Sequence, residues 1–424
     1  MMRYFIFSTL ILASLMSLGQ PLSLEDCHEA ALKQSPLQQQ KQLIAMQTNL
    51  QNEKLGTIYL PQLGINGQIA WQSEVITFPE IGPLTLPEIP QTQFNVSLNV
   101  SQLIYDGGAI KKGKELNAIG QQVQTQQIEV EINKVKETVN QLYFSVLILD
   151  KNEEVLKEAL EELNSRLKVV QAGVENGVML KSNEDEFRKQ ILSIEQKVDQ
   201  IEGDRKALRQ MLADWIGEDN GESLALKLPE ELTSKTVNIA TENRPEYALF
   251  DLQKQQLEAS KEVTKVNLIP KVSAFAWGGI GQPNPFNFIK VDPSPFFQTG
   301  VRLAWTPWDW KSSQRDREIM TLKQEMIETQ RAQFDLVMAI SQRQDQGKIT
   351  SLENLIQKDE QIIELQKEII TQASSQLENG VITATEYLTK VNDQTQAQLN
   401  LEIHKIQLVQ AKANILTRAG SSLK

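Results

Sequence analysis

Two periods of hydrophobicity divide this chain. From Ile128 to Val174 apolar residues recur at alternating spacings of four and three, through Val135, Val139, Leu142, Val146, Leu149, Leu156, Leu163 and Val170, interrupted only at Glu153. A seam of that regularity predicts a helix packed lengthwise against neighbours in coiled-coil fashion. The block around it, Gly107 to Glu175, holds no proline, so one helix of about 100 Å is predicted there. A second proline-free block, Lys311 to Glu378, carries two adjacent rows, Leu352, Ile356, Ile363, Ile370 and Leu377 beside Leu355, Ile362 and Ile369. Two rows predict partners on two faces.

Elsewhere the period is two. Leu63, Ile65, Gly67, Ile69 and Trp71 alternate with Gln62, Gly64, Asn66, Gln68 and Ala70, and Phe94, Val96, Leu98 and Val100 alternate with Gln93, Asn95, Ser97 and Asn99. Strands are predicted at about 62–72 and 93–104, with a second pair at about 297–306 and, more weakly patterned, at about 271–281, where Phe275 and Trp277 share a face.

The two kinds of segment occur twice in the same order. Pro36 and Pro61 recur as Pro245 and Pro270, 209 positions on, while Asp106 and Asn176-Gly177 recur as Asp309 and Asn379-Gly380, 203 positions on. A period of that length excludes a small-repeat solenoid. Each long helix ends in the same sequence, Val174-Glu175-Asn176-Gly177-Val178 and Leu377-Glu378-Asn379-Gly380-Val381, where the Gly accepts the left-handed conformation that closes a last turn. Return helices follow at about 182–217 and 383–418. The expected organisation is a signal peptide at 1–19, a first repeat at 20–228 with its long helix at about 107–175, and a second at 229–424 with its long helix at about 311–378.

Composition narrows the setting. Met1-Met2-Arg3, the apolar run from Tyr4 to Leu18 and the small residues Ser17 and Gly19 read as a cleavable export signal, the run being shorter than the roughly 20 residues of a spanning helix. Without it the chain carries 42 basic and 54 acidic side chains, a net charge of −12, which argues against a nucleic-acid partner. Cys27 is the sole cysteine, so an exported chain must hold together without an internal disulfide. His28 and His404 have no companions at metal-ligand spacing, the methionines form no ladder, and no nucleophile, base and orienter stand together. No enzyme activity, metal or cofactor is expected. Gly278-Gly279-Ile280-Gly281 looks like a phosphate loop, but it ends a strand and runs into Pro283 rather than a helix, so it is expected to be loop backbone.

The strands point to a membrane. Each run approaches the roughly 9 to 11 residues that cross a bilayer, and Trp71, Trp277, Trp305, Trp308 and Trp310 lie at or beside strand ends. Four strands cannot close a barrel and open edges are not tolerated in lipid, so copies must pool their strands. Three copies would give twelve. The loops at 73–92 and 282–295 hold eight of the fifteen prolines and are expected to be irregular surface loops.

These residues resemble the TolC-like outer-membrane efflux proteins. The opening Leu22-Ser23-Leu24-Glu25-Asp26 with Ala31-Leu32 and Pro36, the strand-to-helix turns Asp106-Gly107-Gly108 and Pro307-Trp308-Asp309-Trp310, and the two Asn-Gly tips follow the family's order along nearly the whole mature chain. The resemblance implies a mainly α fold with a small membrane β part: a trimeric twelve-stranded barrel continuous with a long helical barrel. It implies an exit duct of a tripartite efflux or type I secretion system, located in the outer membrane with a periplasmic helical extension, whose partners are its own copies, outer-membrane lipid, a periplasmic adaptor and an inner-membrane pump. The midchain connection at 218–240 would belong to a belt around the tunnel. Glu386 matches one of the carboxylates that ring the family's periplasmic aperture, whereas Thr389 and Ile382 stand where the family has a second carboxylate and an arginine. Asn176, Gly177, Val178, Asn379, Gly380 and Val381 match the tips where adaptors dock. The alternative compatible with the same pattern is a soluble periplasmic coiled-coil adaptor or scaffold.

Overall fold

The computed structural model describes residues 21–77, 87–234, 244–287 and 289–420. The expected signal segment lies outside them, as do residues 78–86 of the first strand-to-strand loop and 235–243 of the midchain connection. Proline punctuates the helices. Helix α1, Leu24–Gln34, opens on a capping box in which Ser23 and Asp26 satisfy each other's backbone N–H, and it stops at Ser35, which Pro36 holds extended. Pro36 itself begins α2, Pro36–Gly56, at the position where a missing N–H costs nothing. Strands β1, Gln62–Trp71, and β2, Thr92–Tyr105, follow, then the long α3, Ala109–Glu175, and its return α4, Lys181–Ile216. After the short α5, Glu231–Ser234, the plan repeats as α6, Pro245–Val266, β3, Lys271–Gln282, β4, Ser294–Ala304, α7, Ser312–Glu378, and α8, Ala384–Arg418. Both long helices run for 67 residues, and α3 shifted by 203 positions coincides with α7 end to end.

The described chain divides into two compact units, and neither unit is a sequence repeat. One takes the described residues within 41–126 and 248–331, the other those within 1–40, 127–247 and 332–424, so each repeat contributes to both.

The first unit contains the sheet, antiparallel throughout and ordered β1-β2-β3-β4. Register decides what each side is made of, because directly paired residues share a face. Leu63, Ile65 and Ile69 pair with Val100, Leu98 and Phe94, and Val100, Leu98 and Val96 pair in turn with Ala276, Gly278 and Ile280. Ala274 and Gly278 then meet Val301 and Phe297. One face is therefore apolar across all four strands. The other carries Asn66, Asn99, Ser101, Gln298 and Arg302, and Phe275 and Trp277 belong to it, paired with Ser101 and Asn99. The Gly278-Gly279-Ile280-Gly281 run is a correction to the loop expectation, since it lies inside β3. Gly279 is needed there: a Cβ would stand 2.1 Å from the Val96 carbonyl oxygen of the neighbouring strand.

The other unit is built from α1, the stretches of α3 and α7 from residues 127 and 332 onward, and the return helices α4 and α8. Its core near α1 gathers Leu24, Cys27, Ala31, Val139, Tyr143, Leu212, Val409 and Ala413, all nearly inaccessible. Burial pushes the Cys27 thiol up to about 12, so it is a packed hydrophobe rather than a nucleophile. Tyr143 anchors the connection by its hydroxyl, 2.8 Å from the Leu22 carbonyl and 2.5 Å from that of Lys227. A second core toward the hairpin tips joins Leu163, Val170, Phe187, Ile194, Leu377, Tyr387 and Val391, with the rings of Phe187 and Tyr387 stacked at 6.0 Å.

Candidate functional site

The two tips are built identically. Gly177 and Gly380 adopt φ of 74° and 69°, their N–H groups donate to Val174 and Leu377, and the next residues, Val178 and Val381, donate to Gly173 and Gln376 at 2.9 and 2.8 Å. This pair of bonds is the Schellman closure, which usually comes with an apolar contact between the outermost residue and the third from the helix end. Here that third residue is Gly173 or Gln376, and Val178 and Val381 are left 78 % and 70 % exposed, with Leu180 beside them also exposed. Asn176 and Asn379, also exposed, each bond a carbonyl four residues back, Ala172 or Ser375.

Beyond the tips the hairpins differ. Helix α8 starts with a capping box: Thr383 Oγ1 accepts from Glu386 N–H at 3.2 Å, and Glu386 Oε2 accepts from Thr383 N–H at 2.8 Å and from its hydroxyl at 3.0 Å. Those bonds, the backbone N–H first, hold the Glu386 carboxyl below the usual carboxylate range. Glu386 is exposed on the first turn of α8. Its carboxylate is therefore engaged as a helix cap at the position the resemblance assigns to the aperture. Thr389 bonds back to the Thr385 carbonyl at 2.9 Å, and Ile382 packs against the tip core. In the first hairpin Leu180 stands at the N-cap without a side-chain bond, and the carboxylate of that turn, Glu184, is buried under Lys181 and Arg188 at 2.5 Å each. Arg166 of α3 reaches Glu378 of α7 at 3.0 Å, an ion pair that links the two hairpins just behind the tips.

At the opposite ends of the long helices the strand-to-helix turns also correspond. Asp106 caps α3, its carboxylate accepting from Gly108 N–H at 2.8 Å and Ile110 N–H at 2.7 Å, and Asp309 caps α7 through Ser313 N–H at 2.8 Å. Gly107 and Gly108 take left-handed φ of 70° and 90°. The matching Trp310 and Lys311 take 53° and 63°, a conformation that costs a side-chain-bearing residue roughly 1–2 kcal/mol. Gly107 has no such freedom to be replaced, because a Cβ there would lie 2.6 Å from Ile269. Trp308 and Trp310 are both exposed and meet edge to face at 5.9 Å.

Both histidines are structural. His28 Nε2 lies 2.7 Å from Asn140 Oδ1, and the Asn140 amide donates to Asn414 and Thr417, tying α1, α3 and α8 together. His404 Nδ1 lies 2.6 Å from Asp359 between α8 and α7. Among the described residues no cluster of His, Cys, Asp and Glu is placed to hold a metal ion.

Residues 28–218 match the outer membrane efflux protein family, the group to which the motifs pointed. Solved structures extend the likeness over the whole fold. The outer membrane protein VceC of Vibrio cholerae superposes with a TM-score of 0.67 at 13 % identity, covering 95 % of this chain and 97 % of its own. The CmeC outer membrane channel of Campylobacter jejuni gives 0.65 at 15 %, covering 94 % and 85 %, and the open state of the MtrE outer membrane channel of Neisseria gonorrhoeae gives 0.66 at 15 %, covering 95 % and 89 %. No curated protein sequence matches significantly. The mainly helical fold with its small sheet is the fold of these outer membrane proteins.

Proposed function

We propose that this chain is the outer-membrane exit duct of an efflux or secretion assembly, passing material delivered by an inner-membrane pump across the periplasm and the outer membrane. The observation that carries this reading is the division of the sheet into two faces. Leu63, Ile65, Ile69, Trp71, Phe297, Val301 and Leu303 are 64–77 % exposed on one side, while the reverse is largely small and hydrogen-bonding. An apolar surface of that extent is covered by lipid or partner, not by water. It also counts against the soluble adaptor, whose sheet would have to show this face to solvent.

The assembly follows from edges. Strands β1 and β4 each leave one side without a partner strand, and lipid does not tolerate open sheet edges. The helices flanking the sheet repeat the situation: α2 bonds α3 through Asn52 and Asn117, and α7 bonds α6 through Gln324 and Lys261. Their outer sides expose Leu43, Met46 and Leu50 on α2 and Ile319, Leu322 and Met326 on α7, two stripes with the same spacing of three and four. One copy's α7 and β4 against the next copy's α2 and β1 close the ring, and three copies make twelve strands. A periplasmic adaptor meets the exposed Val178, Leu180 and Val381 at the tips. Glu386 contributes negative charge to the aperture while capping α8.

Conductance of the purified protein in planar bilayers, together with a trimer band lost on heating a detergent extract, is the expected result. A monomer that fractionates with soluble periplasmic proteins and passes no current would end this reading.

A further inference from the structure

The polar face of the sheet is not uniformly polar. At its loop end it carries Trp277 of β3 and Phe296 of β4, on the side shared with Asn99 and Gln298. The β3–β4 connection returns over them, held by Asn284. That buried side chain donates to Ser294 Oγ at 2.9 Å and to the Pro295 carbonyl at 3.1 Å, and accepts from the N–H groups of Phe286 at 2.9 Å and Asn287 at 3.2 Å. The anchored turn sets Phe286 edge-on against Trp277 at 5.3 Å and against Phe296 at 5.6 Å, while Trp277 and Phe296 meet at 5.0 Å. Phe296 is covered, whereas Phe286 stays 48 % exposed. Further along the same face the Arg302 guanidinium sits 5.1 Å over the Phe275 ring.

Three rings on the face that a duct turns toward its lumen are not required to hold the sheet in lipid. We propose that Phe286 and Trp277, backed by the covered Phe296, form an aromatic contact site at the exit end of the lumen, which takes flat aromatic cargo in transit, anionic molecules being drawn along the same face by Arg302. The inference rests on the duct reading. Edge-to-face packing leaves ring surface free to stack, and a single aromatic contact is weak enough to release what it holds, as passage requires. Three copies would place three such sites around the mouth.

The test uses the full chain reconstituted in planar bilayers, with naphthalene-2-sulfonate added on the loop side and methanesulfonate as the ringless anion of equal charge. Wild-type channels are expected to show current interruptions with the naphthalene compound alone. Phe286→Leu, which keeps apolar bulk, weakens that block roughly three- to tenfold, the worth of one aromatic contact. Phe286→Ala weakens it as much and raises conductance. Equal block in wild type and Phe286→Leu, or equal block by both anions, overturns the site. A wild-type protein without conductance removes the duct itself, and the site falls with it.

Discussion

The two hairpins are the same object with different chemistry at one place. In the first, Glu153 breaks the apolar seam and is buried, paired with Arg205 of the return helix and with Lys157. The matching residues 203 positions on are Ile356 and Leu408, which pack together in an apolar cluster. In the second hairpin the break comes about one turn later as Asp359 with His404, and their counterparts in the first are the apolar Leu156 and Ile201. Each hairpin therefore carries a polar rung at a place where the other is apolar, and Asp345 with Arg418 adds a further one in the second hairpin, opposite Leu142 and Trp215 of the first. Removing one partner of a buried pair costs far more than replacing both, so such rungs fix which residues face each other along an otherwise slippery seam.

Breaking a rung on one side has the largest expected effect. Arg205→Leu leaves Glu153 buried with Lys157 as its remaining cation and should cost about 3 kcal/mol in denaturation of the detergent-solubilised protein. The double change Glu153→Ile with Arg205→Leu, which copies the second hairpin into the first, should recover most of that loss. If the single and double variants unfold alike, the rung is not a pair.

The strand-to-helix turns sharpen the comparison next. Gly107→Ala adds a Cβ against Ile269 at a left-handed position and should cost about 2 kcal/mol or more. At the tips, Thr383→Ala removes the cap of α8 and should cost about 1 kcal/mol, read as faster hydrogen exchange in the first turn. Leu180→Ala, at the uncapped counterpart, should leave exchange in α4 nearly unchanged.

The depressed Glu386 pKa gives that cap a pH signature. A carboxyl lowered on folding stabilises fully above its unfolded value and loses the contribution as pH falls through its folded value. Exchange at the start of α8 should therefore quicken in acid, below the ordinary glutamate range, and Glu386→Gln should flatten that dependence. Smallest of all, Lys311→Gly should stabilise by less than about 1 kcal/mol, as relief of the left-handed strain is offset by a freer unfolded chain.

Periodicity carried far into this fold, and stopped where pairing takes over. The seam around Val139 and Leu163, the Asn-Gly tips and the alternation in β1 and β2 are local patterns, and local patterns are written in one stretch of chain. The assignment of Phe275 and Trp277 to the polar face is not local: it depends on which β2 residues they oppose, and Asn99 and Ser101 are more than 170 positions away. Gly279 likewise looks like loop composition until the Val96 carbonyl is placed against it. Trp310 and Lys311 give no glycine signal for their left-handed turn, although the shift of 203 onto Gly107 and Gly108 contains it. The cap on α8 is legible in the sequence, since Thr383-Ala-Thr-Glu386 has capping-box spacing.

Cys27 has a consequence beyond its packing. In an oxidising compartment a chain with one accessible thiol can form a disulfide only with another molecule, a second copy of the chain among them. Sealing that sulfur inside the α1 core, and keeping it protonated, makes oxidation conditional on the core coming open. Docking of α1 thus keeps the chain's one thiol out of reach of oxidants for as long as the core stays closed.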